Sequence, residues 1–414
     1  MTRIVVATLG SVGDLHPFLA IARHAARLGH SVLFLSSEPH RQAVEAEGLD
    51  FEPILSEHDH VRAAQHPDLW HPLRGFGVLW RHLAVRSVDA VVEILYRESG
   101  AHPDPVRVLA SPLVLGARLM ADLLPIRLVT AHTAPSGIRQ IGSPLYLGSW
   151  RVPDGWPRSW RRLAWRALDR WKLDPMARPG IDQWRHRHGL GPASGSIFGE
   201  WLQSPHLVLG LYPAWFSPSA VDSLVDVRAM GFPLFRPSAA PTADEELTLW
   251  LQQRPSRPRL VLYGGSSKCP SGGHFHSAAL ALDAKGWPSL LIAPDLAPSA
   301  LGTHGLIRPW TDLASVLPAC GGWIHHGGIG ACAEGLQAGV RPWTLPLAYD
   351  QFDNSERLAR HLGIARHEVM LSAQQLSHGD LPGLEALHQW RSPNQVVTAN
   401  SAAVEATLEA LLSA

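Results

Sequence analysis

The feature that most restricts the fold is an alternation that runs twice along the chain. Ile4 to Leu9 is a short apolar run, followed by the loop "GSVGD". From Pro17 to Leu28, Phe18, Leu19, Ile21, Ala22 and Ala25 are spaced as one face of a helix, and Gly29 suits its C-terminal cap. Val32 to Leu35 reads as the next strand, then a helical "RQAVEAEG", then a strand from Phe51 to Ile54. Strands joined through helices pair in parallel, so this pattern predicts a doubly wound α/β sheet. After an irregular middle rich in Trp, Arg and Pro, the pattern returns. Arg259 to Tyr263, Ser289 to Ala293, Gly322 to His325 and Pro342 to Pro346 read as strands, and Val106 to Ala110 as one more in the first half. With 414 residues, two domains are expected. "GFPLFRPSAAPTADEE" has a linker's composition. The predicted division is 1–232, a linker at 233–246, and 247–390.

Charge narrows the partners. Lys+Arg and Asp+Glu both total 36, so no basic surface is expected to hold nucleic acid. The three cysteines, Cys269, Cys320 and Cys332, form no CxxC and fit a reducing cytoplasm. The start, "MTRIVVATLGSVGD", reads as neither a signal peptide nor an anchor, and no apolar run is long enough to span a membrane.

The stretch "HHGGIGACAEGLQAG", from His325 to Gly339, reads as a strand end, a glycine loop and a helix N-terminus. Gly327, Gly328 and Gly330 let backbone N–H groups approach a ligand, and the helix points its partial positive end the same way. That is an anion site of a size for a diphosphate. His326 can donate to a phosphate oxygen, and Glu334 lies one turn on and can accept from sugar hydroxyls. The same residues also fit a glycine-rich turn beside a core histidine. "LPLAYDQFDN" then puts Tyr349, Asp350 and Gln351 at a strand's carboxyl end, where α/β sheets bind ligands.

Trp310, His326, Glu334, Pro346 and the Asp350–Gln351 pair occur in order. Together they resemble the donor-binding signature of the family 1 nucleotide-sugar glycosyltransferases, which have the GT-B fold. The resemblance implies two Rossmann-like domains facing each other across a cleft, with a helical segment at 391–414 crossing back to the first. It implies that Trp310 flanks the base and that His326 binds the diphosphate, with the amides of Gly328, Ile329, Gly330 and Ala331. Glu334 would bind ribose, and Asp350 and Gln351 the transferred sugar. Gly265, Ser266 and Ser267 match the small-residue loop over the diphosphate. Ala331 and Cys332 stand where bacterial relatives often have hydroxyls. The resemblance implies no cofactor, a UDP- or dTDP-sugar co-substrate and inversion at the anomeric carbon.

In "GSVGDLHP" the general-base position of that family falls on Asp14, with His16 as the second candidate. Asp14 also fits an N-cap. Ser111 follows the strand Val106 to Ala110, and His132 follows another; both are candidates to line the acceptor site. No Asp-x-Asp pair occurs, and His274 with His276 lacks a clear third ligand, so no metal is expected. "PDLWHPLRGFGVLW", "WRALDRWKLDP" and "SIFGEWLQSPHLVLGLYPAWFSP" resemble the rhamnosyltransferases of mono-rhamnolipid synthesis. This implies a lipophilic hydroxylated acceptor. The alternatives are a glucosyltransferase of a polyketide, terpenoid or sterol-like aglycone, or a non-catalytic sugar-nucleotide binder.

In "RSWRRLAWRALDRWK", Trp160, Leu163, Ala164, Leu168 and Trp171 share a helical face, and Arg162, Arg166 and Arg170 recur on another. The ordinary expectation is that the apolar face packs inward. The sharper one is peripheral contact with the cytoplasmic face of a membrane around residues 158–172.

Overall fold

The computed structural model describes residues 2–142, 146–147, 150–217, 225–238, 244–265, 271–392 and 400–414. It forms two compact units, Met1–Arg236 with Thr398–Ala414, and Pro237–Val397.

The first unit holds a seven-stranded sheet. Its strands are β1 (Arg3–Ala7), β2 (Ser31–Ser37), β3 (Asp50–Leu55), β4 (Arg107–Ala110), β5 (Arg127–His132), β8 (Leu207–Gly210) and β9 (Arg228–Ala229). A small hairpin, β6 (Tyr146–Leu147) with β7 (Trp150–Arg151), stands apart. The order is β3-β2-β1-β4-β5-β8-β9, and every pairing is parallel. Both faces of β1 are buried: Val5 and Ala7 enter one core layer, Ile4 and Val6 the other. That explains why its sequence is apolar throughout instead of alternating. The terminal helix Asn400–Ser413 belongs to this unit. Its Val404, Leu408 and Leu411 join the layer of Phe18, Leu19 and Ile21.

The second unit has a six-stranded sheet: β10 (Leu260–Tyr263), β11 (Ser289–Ile292), β12 (Ser299–Leu301), β13 (Gly305–Arg308), β14 (Gly322–His325) and β15 (Arg341–Thr344). The order is β12-β13-β11-β10-β14-β15, parallel except for the edge strand β12. Trp323 and Trp343 are fully buried in it. Gly335 is the packing partner of Trp323, since a Cβ there would lie 2.7 Å from the indole.

Three expectations need correction. The first helix begins at Val12, not Pro17. Ser11 and Asp14 satisfy the helix N-terminus early enough that the proline falls inside, at the loss of one backbone hydrogen bond. β12 and β13 had no expected counterpart; both are short and lie at one side of the sheet. The helix Arg158–Leu168 does not bury the face of Trp160 and Leu163. Arg161 and Trp165 are its buried residues, while Trp160, Leu163 and Trp171 are 59%, 65% and 76% exposed.

Candidate active site

In each sheet the chain reverses its order of strand addition beside the first strand. This is between β1 and β4 in one unit and between β10 and β14 in the other. Loops at the carboxyl ends of such strand pairs splay apart and leave a ligand crevice. Asp14, Ser111, Gly265 and His326 lie on these loops, while Trp310 follows β13, the Asp350 loop follows β15 and His132 ends β5.

In the second unit, β14 ends at His325 and the helix Ile329–Ala338 follows, with Gly328 as its N-cap. Gly328 has no side chain to cap the helix, so the N–H groups of Ile329, Gly330 and Ala331 keep their positive ends for a ligand. The glycines serve different purposes. Gly327 has φ +87°, and a Cβ there would meet Ser355 Oγ at 2.6 Å. A Cβ on Gly328 would lie 2.3 Å from His326 Nε2. Gly330 faces open space, with nothing within 4 Å of where a Cβ would be. Packing therefore accounts for the first two but not for Gly330. Glu334 lies four residues on, on the same helical face as that opening.

The two histidines have separate tasks. His325 is fully buried, and its Nδ1 accepts from Gly327 N at 3.2 Å, holding the loop. His326 lies at the loop between Gly265 and Gly328. Burial pushes its pKa down to about 4, with a hydrogen bond to the Tyr263 backbone pulling the other way. Near neutrality it is therefore an uncharged imidazole with a single N–H, which serves either the Tyr263 carbonyl or a ligand but not both at once. Fixed positive charge near the loop comes from the helix end.

A second loop connects to the first. Asp350 is the N-cap residue of the helix Gln351–Leu362, and its side chain makes no capping hydrogen bond. Tyr349, just before it, is the one non-glycine residue with positive φ, 56°, among the described residues. Such backbone costs of order 1–3 kcal/mol and persists where surroundings enforce it. Gln351 does so: its Oε1 accepts from Leu347 N at 2.8 Å and Ala348 N at 3.2 Å. The side-chain oxygen of Gln351 is thus committed to the loop. Asn354, not anticipated from the sequence, ties the two loops together. Its Nδ2 donates to Gly327 O at 3.1 Å and to Asp350 Oδ2 at 2.6 Å. Trp310 follows β13 and is 57% exposed, available for stacking. Ser266 and Ser267 lie outside the described residues. His274 bonds Ser377 Oγ at 2.8 Å, and no cluster of three or more metal-ligating side chains occurs among the described residues.

In the first unit, the helix Val12–Arg27 starts at the end of β1 and caps itself. Asp14 Oδ2 accepts from Ser11 N at 2.9 Å and Ser11 Oγ at 3.0 Å. Asp14 is therefore the third helical residue, not the N-cap, and its Oδ1 takes no hydrogen bond among the described residues. Burial raises its pKa, while the two Ser11 hydrogen bonds pull it down. Gly10 has φ +131°, and a Cβ there would collide with the Asp14 carboxylate at 2.4 Å. His16 is half-buried against Phe235, with ring centroids 5.0 Å apart. Burial, then the Arg236 charge, bring its pKa down to about 4. Ser111, at the end of β4, has a buried hydroxyl with no partner among the described residues. His132 ends β5 and is satisfied: its Nε2 donates to Gln203 Oε1 at 2.7 Å. The structure also brings in His40 and His60, whose rings meet edge to face at 5.4 Å. His40 feels the charges of His60 and His16 and is lowered to about 4, mainly by burial. The sequence carried no signal for this cluster, since its members come from three segments.

Residues 4–136 match the Glycosyltransferase family 28 N-terminal domain. Over 401 residues the chain is 27% identical to O-mycaminosyltylonolide 6-deoxyallosyltransferase of Streptomyces fradiae, covering 89% of this chain and 86% of that protein. It is 24% identical over 410 residues to a sterol 3-beta-glucosyltransferase of Arabidopsis thaliana, covering 91% of this chain and 62% of the other. Among solved structures, the glycotransferase of kitacinnamycin superposes with a TM-score of 0.65 at 20% identity, over 100% of this chain and 95% of that one. The glycosyltransferase VinC in complex with dTDP gives 0.62 at 16% identity, over 100% and 96%. The chain has the GT-B fold, with two Rossmann-like domains built on parallel sheets. Its sequence relatives support a glycosyltransferase.

Proposed function

We propose that this protein is an inverting, metal-independent glycosyltransferase that moves a sugar from a nucleoside-diphosphate sugar to a hydroxyl of a lipophilic acceptor. The observation that carries this is the helix N-terminus at Gly328. It has no side-chain cap, opens onto free space at Gly330, and stands beside a neutral His326 and the Asp350 loop. Such a site offers three backbone N–H donors and an imidazole to a diphosphate, which suits a leaving group whose charge grows during transfer.

In this reading Asp14 Oδ1 takes the proton from the acceptor hydroxyl. The acceptor oxygen bonds to the anomeric carbon as the carbon–oxygen bond to the diphosphate breaks. The nucleoside diphosphate leaves with the electron pair, held by the N–H groups of Ile329, Gly330 and Ala331 and by His326. The raised pKa of Asp14 makes it a better base than an exposed carboxylate, and Ser11 fixes its rotamer. Glu334 takes the ribose, Trp310 flanks the base, and Asp350 with the Gln351 amide binds the sugar. Ser111 and His16 face the acceptor.

For the donor, dTDP or UDP carrying rhamnose or glucose fits this set. For the acceptor, the motif resemblance favours a hydroxy-fatty-acid lipid, as in rhamnolipid synthesis. The relatives named for tylonolide and sterol transfer favour a cyclic aglycone as the second reading. A matrix of dTDP- and UDP-sugars against hydroxylated lipids, macrolactones and sterols, read by mass spectrometry, separates them. Formation of a glycoside with matching nucleoside diphosphate release is the expected result. Tight nucleotide binding with no transfer to any acceptor would instead make this a sugar-nucleotide binder.

A further inference from the structure

The helix Arg158–Leu168 and the turn Asp169–Leu173 after it present an outer face that nothing in the proposed reaction uses. Their inner side is well anchored. Trp165 Nε1 donates to Gln140 O at 3.0 Å, and its ring carries the Arg139 guanidinium at 4.2 Å. Arg161 donates to Pro153 O at 3.0 Å, and Asp169 is buried in an ion pair with Arg139 at 2.8 Å. The outer side is the opposite in character. Trp160, Leu163 and Trp171 stand in solvent, and Trp150 on the neighbouring hairpin is 51% exposed. Trp150, Trp156 and Trp160 form an edge-to-face row with centroids 6.0 and 5.9 Å apart.

Along this apolar strip run Arg162, Arg166 and Arg170 at four-residue spacing, with Lys172 beyond them, all exposed and in no ion pair among the described residues. The one acidic residue of the segment, Asp169, is buried and paired. The chain as a whole has formal net charge zero, so this concentration of positive charge is local.

We propose that this face is a peripheral membrane-docking surface for anionic phospholipid. Indole rings sit at headgroup depth, where one edge is apolar and the other wet, and arginines pair with lipid phosphates. The charge identifies the occupant. A second copy of the chain would set the same row of arginines against itself across a twofold axis, whereas an anionic bilayer complements it. No helix among the described residues is long and apolar enough to cross a membrane, so docking here is lateral. The inference does not rest on the proposed transferase reaction, because it concerns a surface formed within the first unit.

The test is co-sedimentation with vesicles of phosphatidylcholine and phosphatidylglycerol in equal parts, against phosphatidylcholine alone. The parent is expected to bind the mixed vesicles at low salt and to release as salt rises. Each basic residue near an anionic surface is worth roughly fivefold in binding. On that basis Arg162→Glu with Arg166→Glu and Arg170→Glu should lose on the order of 100-fold or more. Trp160→Ser with Trp171→Ser should weaken binding at every salt concentration. Arg86→Glu with Arg254→Glu, equal in sign but elsewhere, should bind as the parent does. Unchanged circular dichroism and thermal unfolding in the variants would show intact folds. Parent protein left in the supernatant overturns the proposal. So does equal binding by the triple reversal, or a patch-dependent dimer in sedimentation velocity.

Discussion

Two helix N-termini hold the same place in the two units, and they end differently. After β1 the chain reads Gly10-Ser11-Val12-Gly13-Asp14; after β14 it reads Gly327-Gly328-Ile329-Gly330-Ala331. Both begin with a glycine at positive φ, both follow the strand beside the switch point, and both open a helix at the third residue. In the first, Asp14 takes the N–H and hydroxyl of the N-cap residue Ser11 in a capping-box arrangement, so the helix's own carboxylate is tied down over its N-terminus. In the second, glycine and alanine replace both capping side chains. Topology builds an anion site twice, and two side chains decide which one stays open. The first unit fills it with a carboxylate, the base of the proposed reaction; the second leaves it uncapped, where the proposed reaction puts a diphosphate.

The comparison can be broken in order of expected effect. Asp14→Asn should keep the cap geometry but remove the base, cutting turnover by roughly 10²–10⁴-fold while dTDP binding stays unchanged. The acid limb of the parent's rate profile should lie above the ordinary carboxylate range, because burial raises Asp14, and that limb should vanish in the Asp14→Asn variant. Near-parental turnover in the mutant would take Asp14 out of the reaction.

Ala331→Asp copies the first unit's carboxylate into the second. A like charge about 4 Å from a phosphate costs roughly 4 kcal/mol at intermediate dielectric, so nucleotide affinity should fall about 10³-fold in calorimetry. Unchanged affinity would mean the diphosphate binds elsewhere. His326→Ala should be milder, at roughly 10-fold in affinity and more in turnover, since a neutral donor meets growing charge on the leaving group. A larger effect on affinity than on turnover would contradict that role.

Ser11→Ala should cost about 1 kcal/mol of stability in denaturant unfolding, the usual worth of a cap. It should also move the Asp14 acid limb upward, because the Ser11 hydrogen bonds lower that pKa. A separate expected effect, on stability alone, is acid sensitivity. His16, His40 and His132 in the first unit and His326 in the second are held near 4. Below about pH 6.5 the unfolded chain takes up protons that these folded groups refuse, so stability is lost as pH falls from there toward 4. The first unit, with three of them, should unfold at higher pH in a thermal scan series than the second.

Much of this was legible in the residues. Strand and helix order follow from apolar runs and glycine breaks, because parallel strands buried on both faces must be apolar throughout. The glycine loop stands out because backbone N–H groups are approachable only where side chains are absent, and the Asp350–Gln351 pair because polar residues follow an apolar strand. The link from Asn354 to Gly327 and Asp350 was not legible. Neither was the His16–His40–His60 cluster, nor the commitment of the Gln351 oxygen to its own loop. Each depends on groups from separate segments meeting in space.

The Trp/Arg helix divides the two kinds of information most clearly. Sequence alone determined that Arg158 to Leu168 is an amphipathic helix, because periodicity is a local property of the chain. It could not determine which side turns inward. Arg161 and Trp165 won that place because Pro153, Arg139 and Gln140 supply the polar partners that their buried groups need, and a buried guanidinium or indole N–H without partners is costly. Those partners lie up to 26 residues away in the chain. Only the tertiary structure brings them under one face of the helix, and so leaves Trp160, Leu163 and Trp171 outside.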